Sequence, residues 1–188
     1  MRLYKGNYTD VRISNSWAVY SDLWRRFMEQ SKIYAVLWEI TMACNSACVY
    51  CYNAFQVSRP LAKSSSVSKE NALAIADKII EADIQTVVIS GGEPTTQPDI
   101  VLEVGKYLRK HCKKVSVITN GTLITDELAR ELAWADIEVF VSLTAPFESL
   151  HDETVGKEGA YKKTIYGIQL LVEKPSVTII VRQLPAEI

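Results

Sequence analysis

The stretch that decides the fold is residues 33–53, IYAVLWEITMACNSACVYCYN, because it joins a strand-like run to a cluster of three cysteines. Ile33–Ile40 is short, apolar and rich in β-branched and aromatic residues, which predicts a buried strand. The polar segment after it carries Cys44, Cys48 and Cys51. Ligands of open α/β sheets bind beyond the carboxyl ends of the strands, so this segment is the first candidate site.

The rest of the chain repeats the alternation of apolar strand and amphipathic helix. Continuous apolar strands between helices predict a parallel sheet covered by helices. A complete eight-unit barrel takes about 250 residues, so 188 residues predict a partial (β/α) barrel or an open α/β sheet, with about five β/α units. The later predicted strands are Thr86–Ser90, Val115–Thr119, Ile137–Leu143 and Val177–Arg182, and the predicted helices are Ser68–Ala82, Asp99–His111 opened by Pro98, a helix capped by Thr125 that ends at Trp134, and Tyr161–Glu173.

Residues 1–32 precede this alternation and predict an N-terminal helical extension. Trp17, Tyr20, Trp24 and Phe27 recur at helical spacing, which favours a helix over Trp17–Gln30 that packs on the main body. The domain division predicted from the sequence is therefore an extension over residues 1–32 and a core domain over residues 33–188.

The composition excludes several classes of protein. Hydrophobic residues make up 48% of the chain and charged residues 23%, which excludes a disordered chain. The net charge of −1 lacks the basic character of a nucleic-acid binder. No apolar run approaches the roughly 20 residues of a membrane span, and MRLYKGNYTD is not a signal peptide. We therefore expect a soluble, cytoplasmic protein without a nucleic-acid or membrane partner.

The cysteine cluster has the spacing C-x3-C-x2-C. In a reducing compartment such clustering points to metal or redox chemistry, and soft thiolates suit iron–sulfur clusters or zinc. Three thiolates leave one metal position open, which is typical of a catalytic centre. Two alternatives remain open: a zinc knuckle completed by Cys112 or His111, and three small buried side chains on one helix face.

Cys44-x3-Cys48-x2-Cys51 after a first strand, with the aromatic Tyr50, resembles the signature of the radical S-adenosylmethionine (radical SAM) superfamily. Gly91-Gly92-Glu93-Pro94, after the second strand, resembles its GGEP motif, and the match is nearest to the molybdenum-cofactor-synthesis and SPASM peptide-maturase branches. The resemblance implies a [4Fe–4S] cluster on the three cysteines and S-adenosylmethionine on the fourth iron. An electron from a donor such as flavodoxin or ferredoxin would cleave this cofactor, and the 5′-deoxyadenosyl radical would take hydrogen from a peptide or small metabolite.

The resemblance also assigns residues to the adenosylmethionine site, although it names no catalytic acid or base. It implies that the backbone of the glycine pair and the Glu93 carboxylate hold the methionine amino group. Arg182, at the end of the last strand, is either a carboxylate clamp or a solvated strand end. The cofactor-binding residues that we expect are Tyr50, Gly91, Gly92, Glu93, Asn120, Ser142 and Arg182, beside the metal ligands Cys44, Cys48 and Cys51.

The chain departs from the family pattern in three places. Thr144 stands where Asp is usual, and Val155 stands where Arg is frequent in a segment that begins with His151. The chain also ends after its fifth strand, whereas the resemblance implies a six-unit partial barrel. We therefore expect a C-terminally incomplete radical SAM core, with a non-catalytic iron–sulfur or zinc-binding module as the alternative. His151 is expected to make local hydrogen bonds, and Cys112 is expected to be a buried thiol.

Overall fold

Seven strands form a single sheet in the computed structural model, which describes residues 2–5, 9–12, 33–53, 67–174 and 179–182. Along the sheet their order is β2-β1-β3-β4-β5-β6-β7, so β2 and β7 lie at the two edges and the sheet is not closed. The strands are β1 (Arg2–Lys5), β2 (Thr9–Arg12), β3 (Ala35–Thr41), β4 (Thr86–Gly91), β5 (Lys114–Thr119), β6 (Glu138–Ser142) and β7 (Ile179–Arg182).

The strands from β3 to β7 are parallel, and each pairs with the next strand along the chain. This pattern confirms the predicted α/β class with five parallel strands. All five strands end at one edge of the sheet, which we call the carboxyl edge. The helices are α1 (Lys69–Glu81), α2 (Pro98–Arg109), α3 (Asp126–Trp134), α4 (Glu148–Val155) and α5 (Ala160–Val172).

The predicted helix starts are confirmed by their caps. The Ser68 hydroxyl accepts a hydrogen bond from the Asn71 amide, at 3.3 Å, and opens α1. The Thr125 hydroxyl accepts one from the Leu128 amide, at 3.1 Å, and opens α3. Pro98 is the first residue of α2.

Three elements were absent from the sequence prediction. Arg2–Lys5 and Thr9–Arg12 form an antiparallel pair that joins β3, so the described part of the predicted helical extension is strand. Four polar-rich residues are too few to show a strand period. Glu148–Val155 is helical, although its eight residues have no strongly apolar face. The predicted helix Trp17–Gln30 lies outside the described residues.

The core lies on one face of the sheet, where alternate strand residues meet the helices. Val36, Val87, Val117 and Val139 are each 1% exposed or less, and they belong to a cluster with residues of α1, α2, α3 and α5. Strand positions of the opposite parity are buried less uniformly: Phe140 is only partly buried, whereas Ser116 is 1% exposed. The fold therefore leaves one face partly open beneath the loops of the carboxyl edge.

Candidate functional site

The loops that follow β3, β4, β5 and β6 meet at the carboxyl edge, where the predicted site residues lie. We call residues 42–53 the cysteine loop. It follows β3 and has little regular structure of its own, so its conformation depends on the neighbouring segments that contact it.

The three cysteines of the cysteine loop are free, half-buried thiols that lie near one another. The pKa of Cys44 is raised to about 11, mainly by burial; a hydrogen bond from the Ser46 amide lowers it, and the charges of Glu93, Cys48 and Cys51 add to the increase. Burial also raises the pKa of Cys48; a hydrogen bond to the Tyr50 side chain opposes this change, and the charge of Cys51 adds to it. These mutual effects fit a site for a positively charged metal group, which stabilises the thiolate form that burial disfavours.

The three thiols of the cysteine loop are the kind of donor that binds iron–sulfur clusters. Within the described residues, no group of three His, Cys, Asp or Glu side chains is arranged to hold one metal ion. A cuboidal cluster places each cysteine on a different iron, so its ligands need not converge on a point. The predicted [4Fe–4S] group therefore fits these residues.

Cys112 and His111 lie too far away to complete a zinc knuckle. Both precede β5, and Cys112 is buried at the end of α2, as predicted. The six residues of β5 span about 20 Å, at about 3.3 Å per residue. These two residues therefore lie at the amino edge of the sheet, whereas the cysteine loop lies at the carboxyl edge.

The glycine pair after β4 packs directly on the first residues of the cysteine loop. Gly91 has φ of +140°, and a Cβ atom there would lie 2.2 Å from the Thr41 carbonyl oxygen. A Cβ atom on Gly92 would lie 2.3 Å from the Ala43 carbonyl oxygen. The Gly92 amide donates to the Thr41 oxygen at 2.7 Å. Glycine is required here because the two backbones touch.

Glu93 is buried, at 2% exposed, and connects three segments of the carboxyl edge. Its Oε1 atom accepts hydrogen bonds from the Thr95 amide at 3.0 Å, the Thr95 hydroxyl at 2.5 Å and the Thr119 hydroxyl at 2.7 Å. Its Oε2 atom accepts one from the Asn120 amide at 2.7 Å. Burial raises the pKa of Glu93, and these hydrogen bonds oppose the change. All four hydrogen bonds come from donors, which fits a carboxylate, and Oε2 accepts one of them.

Asn120 links the loop after β5 to the cysteine loop. Its Nδ2 atom donates to Asn45 Oδ1 at 2.7 Å, and Asn45 Nδ2 donates to the Thr122 hydroxyl at 2.8 Å. The Thr122 amide and hydroxyl close the network on Asn120 Oδ1, at 3.0 and 2.7 Å. The loop after β5 therefore fixes Asn45, the residue directly after Cys44.

The end of α4 holds the cysteine loop from the other side. The amides of Ala47 and Val49 donate to the carbonyls of Val155 and Thr154, at 2.9 and 3.0 Å. These carbonyls lie in the last turn of α4, where no intrahelical donor reaches them. The Lys157 ammonium donates to the Asn45 carbonyl oxygen at 2.7 Å.

The substituted positions Thr144 and Val155 both contribute to this support. Val155 is buried, so an arginine could not occupy its place without rearrangement. His151 is 1% exposed, and burial lowers the pKa of its imidazole. Its Nδ1 atom lies 2.9 Å from the Thr144 hydroxyl and 3.3 Å from the Thr144 amide nitrogen. As predicted, His151 makes local hydrogen bonds, which join the end of β6 to α4.

The remaining predicted residues surround the same edge. Ser142 ends β6 and is partly buried, and Arg182 pairs with it in the register of β7. Tyr50 is 41% exposed on the cysteine loop. The structure also gives roles to Asn45, Thr119 and Lys157, which are not among the predicted site residues. Only their hydrogen bonds to motif residues reveal them, because single polar residues in loops carry no pattern.

Comparison with known proteins places this geometry in a family. The family model of the radical SAM superfamily matches residues 38–181. The chain belongs to the radical SAM superfamily. Members of this superfamily are enzymes that use a [4Fe–4S] cluster and S-adenosylmethionine.

Curated radical SAM relatives align over the same part of the chain. The AdoMet-dependent heme synthase of Methanosarcina barkeri is 33% identical over 137 residues, which are 72% of this chain and 38% of that protein. The mycofactocin maturase MftC of Mycobacterium tuberculosis is 34% identical over 135 residues, which are 71% of this chain and 33% of that protein. The chain thus matches about a third of the length of these relatives.

Solved structures support the fold. The structure of Streptococcus suis SuiB bound to precursor peptide SuiA superposes with a TM-score of 0.65 and 22% identity, over 92% of this chain and 40% of that one. A structure titled native anSMEcpe with bound AdoMet gives a TM-score of 0.61 and 20% identity, over 79% of this chain and 43% of that one. The predicted partial-barrel fold is confirmed. Among the described helices, none has the length and apolar character needed to cross a bilayer.

Proposed function

We propose that Cys44, Cys48 and Cys51 bind a [4Fe–4S] cluster and that the loops of the carboxyl edge bind S-adenosylmethionine beside it. The observation that carries this proposal is the contact between the cysteine loop and the loops after β4, β5 and β6. The Glu93 amide donates to the carbonyl oxygen of Ala43, the residue before Cys44, at 2.8 Å, so Glu93 lies beside the start of the cysteine loop. A ligand that touches the cluster and Glu93 together needs this proximity.

The chain's own groups offer complementary contacts for the ends of the cofactor. Oε2 of Glu93 is a buried carboxylate oxygen with one hydrogen bond, so it suits the methionine ammonium group. Ser142 and Arg182 lie side by side at the ends of β6 and β7 and suit the carboxylate or the ribose. Asn120 and Tyr50 complete the proposed lining.

Cys44, Cys48 and Cys51 would hold the cluster, which would supply the electron for reductive cleavage of S-adenosylmethionine and so for hydrogen abstraction from the substrate. The chain's contribution is to bind and orient. The networks of Glu93 and Asn120 fix the loops on which the cofactor would lie, before any ligand is present. Preorganised donors and acceptors of this kind cost little reorganisation during the reaction.

The proposed substrate is a peptide or a small metabolite. The relatives include a mycofactocin maturase and a heme synthase, and SuiB was solved with a precursor peptide. Peptide maturases recur among these relatives, and they support a peptide substrate. A cytoplasmic location and an electron donor such as flavodoxin or ferredoxin belong to the same proposal.

Anaerobic reconstitution with iron and sulfide tests the cluster. We expect a brown protein that contains about four irons and about four sulfides and absorbs broadly at about 400 nm, as iron–sulfur proteins do. Cys48→Ala is expected to lose the cluster, whereas Cys112→Ala, the matched control at the amino edge, is expected to keep it. A colourless wild-type protein with one tightly bound zinc ion would contradict the proposal.

The second test separates an enzyme from a non-catalytic iron–sulfur module. The reconstituted chain is incubated with dithionite and S-adenosylmethionine, and 5′-deoxyadenosine is measured by liquid chromatography. Formation of 5′-deoxyadenosine that depends on Cys48 supports the enzyme. A complete cluster without this product favours the module.

A further inference from the structure

A lysine that is not among the predicted site residues also binds the cysteine loop. The Lys157 ammonium donates to the carbonyl oxygen of Asn45, the residue directly after Cys44, at 2.7 Å. Lys157 follows Gly156, which ends α4 in the left-handed conformation with φ of +64°. A Cβ atom on Gly156 would lie 2.6 Å from the Ala47 carbonyl oxygen, so this turn packs tightly on the cysteine loop.

The contact is one part of a three-bond attachment. The amides of Ala47 and Val49 donate to the last carbonyls of α4, and Lys157 adds a charge-assisted bond on the Cys44 side. Lys157 is partly buried, so water screens this bond less than a surface ion pair. All three bonds join the cysteine loop to a single helix end.

That helix end is itself fixed. His151 is buried and hydrogen bonded to Thr144, two residues after the end of β6. Asp152 accepts hydrogen bonds from the amides of Gly159 and Tyr161, at 2.6 and 2.7 Å, which hold the turn that carries Lys157 against the start of α5. Lys157 therefore extends from a rigid support.

We infer that Lys157 is a positioning residue, which fastens the cysteine loop to the end of α4 and places a positive charge beside the metal group that this loop holds. Only the electrostatic role beside the metal group rests on the proposed function, because the attachment of the loop to α4 involves protein atoms alone. A cation near a cluster favours its reduced form, since reduction adds negative charge. Lys157 thus favours electron entry as well as loop geometry.

Lys157→Met tests the inference, with Lys157→Arg as the conservative variant. Lys163→Met is the matched control, because it removes the same charge from an exposed position on α5. Hydrogen exchange of the Ala47 and Val49 amides is measured by NMR before and after reconstitution. Loss of a charge-assisted bond is expected to speed this exchange about tenfold in Lys157→Met, with slow exchange of the Val117 core amide retained.

The midpoint potential of the reconstituted cluster is the readout that a purely structural role would not move. In Lys157→Met we expect reduction to be about tenfold less favourable, which is about 59 mV for one electron. Lys157→Arg and Lys163→Met are both expected to keep the wild-type amide exchange rates and the wild-type midpoint potential. Unchanged exchange overturns the attachment, and an unchanged potential overturns the electrostatic role. If no cluster forms in the wild type, the proposed function fails, while the exchange result still decides the attachment.

Discussion

Glu93→Gln separates the structural role of this carboxylate from its proposed role as a ligand. The buried carboxylate accepts four hydrogen bonds, three on Oε1 and one on Oε2, and every partner is a donor. Glutamine has nearly the same shape but only one acceptor oxygen. If that oxygen faces Thr95 and Thr119, the amide NH2 group meets the backbone N–H of Asn120 at the 2.7 Å position, where two donors oppose each other.

The magnitude follows from the lost acceptor. A buried donor left without a partner costs about 1–3 kcal/mol. Because burial raises the pKa of Glu93, removal of its charge recovers part of a desolvation cost. We therefore expect the free energy of unfolding to fall by about 1–2 kcal/mol. Loss of a charge-assisted bond to the methionine ammonium group weakens adenosylmethionine binding about 10-fold to 100-fold.

Urea denaturation followed by circular dichroism measures the first effect, and calorimetry on the reconstituted protein measures the second. Iron content is expected to remain at the wild-type value, because no cysteine changes. Glu127→Gln, at an exposed position in the first turn of α3, is the control and should change neither quantity. An unfolding free energy within about 0.5 kcal/mol of wild type, together with unaltered affinity, would refute both roles.

Three further predictions concern the support of the site. Burial lowers the pKa of His151 below 6.5, so the unfolded state gains a proton first, and stability should fall as the pH drops below about 6.5; denaturation at several pH values checks this, and His151→Asn should weaken the dependence. Gly92→Ala should reduce the iron content of the reconstituted protein, because the added Cβ would lie 2.3 Å from the Ala43 carbonyl oxygen and displace the cysteine loop. A full iron content would show that the cysteine loop accommodates the methyl group without losing the cluster. Thr125→Ala should lower the free energy of unfolding by about 1 kcal/mol, because the Leu128 amide loses its capping hydrogen bond. An unchanged thermal transition in calorimetry would contradict this stabilising role of the cap.

The elements that the sequence predicted are those in which one physical signal dominates. Thr86–Gly91 and Lys114–Thr119 lie between neighbouring strands inside the parallel sheet, and such strands are rich in consecutive apolar residues. Their predicted ends differ from the observed ends by one residue. Thr125 and Pro98 mark helix starts through local chemistry, which needs no knowledge of the tertiary fold.

The elements that the sequence did not predict obtain their stability from distant partners. Arg2–Lys5 is stabilised between β2 and β3, and its pairing with Ala35–Leu37 cannot be read from four residues. Glu148–Val155 has only a weak apolar stripe. Its last carbonyl groups accept hydrogen bonds from amides of the cysteine loop, and Lys157, just after the helix, bonds to Asn45, which is 112 residues away in the sequence. Local propensity carries no information about such pairings.

The candidate site shows the same division between local and distant causes. The resemblance singled out Glu93 and Asn120 as ligand contacts, yet in the structure both also bind protein groups that hold the cysteine loop. Their residue types are therefore constrained twice, by the fold and by the proposed ligand. A substitution that affects adenosylmethionine binding alone should be sought elsewhere, at Ser142, which is partly buried at the end of β6. If Ser142→Ala weakens binding without lowering stability, the ligand and the loop network are separable; if stability falls as well, the network extends to the end of β6.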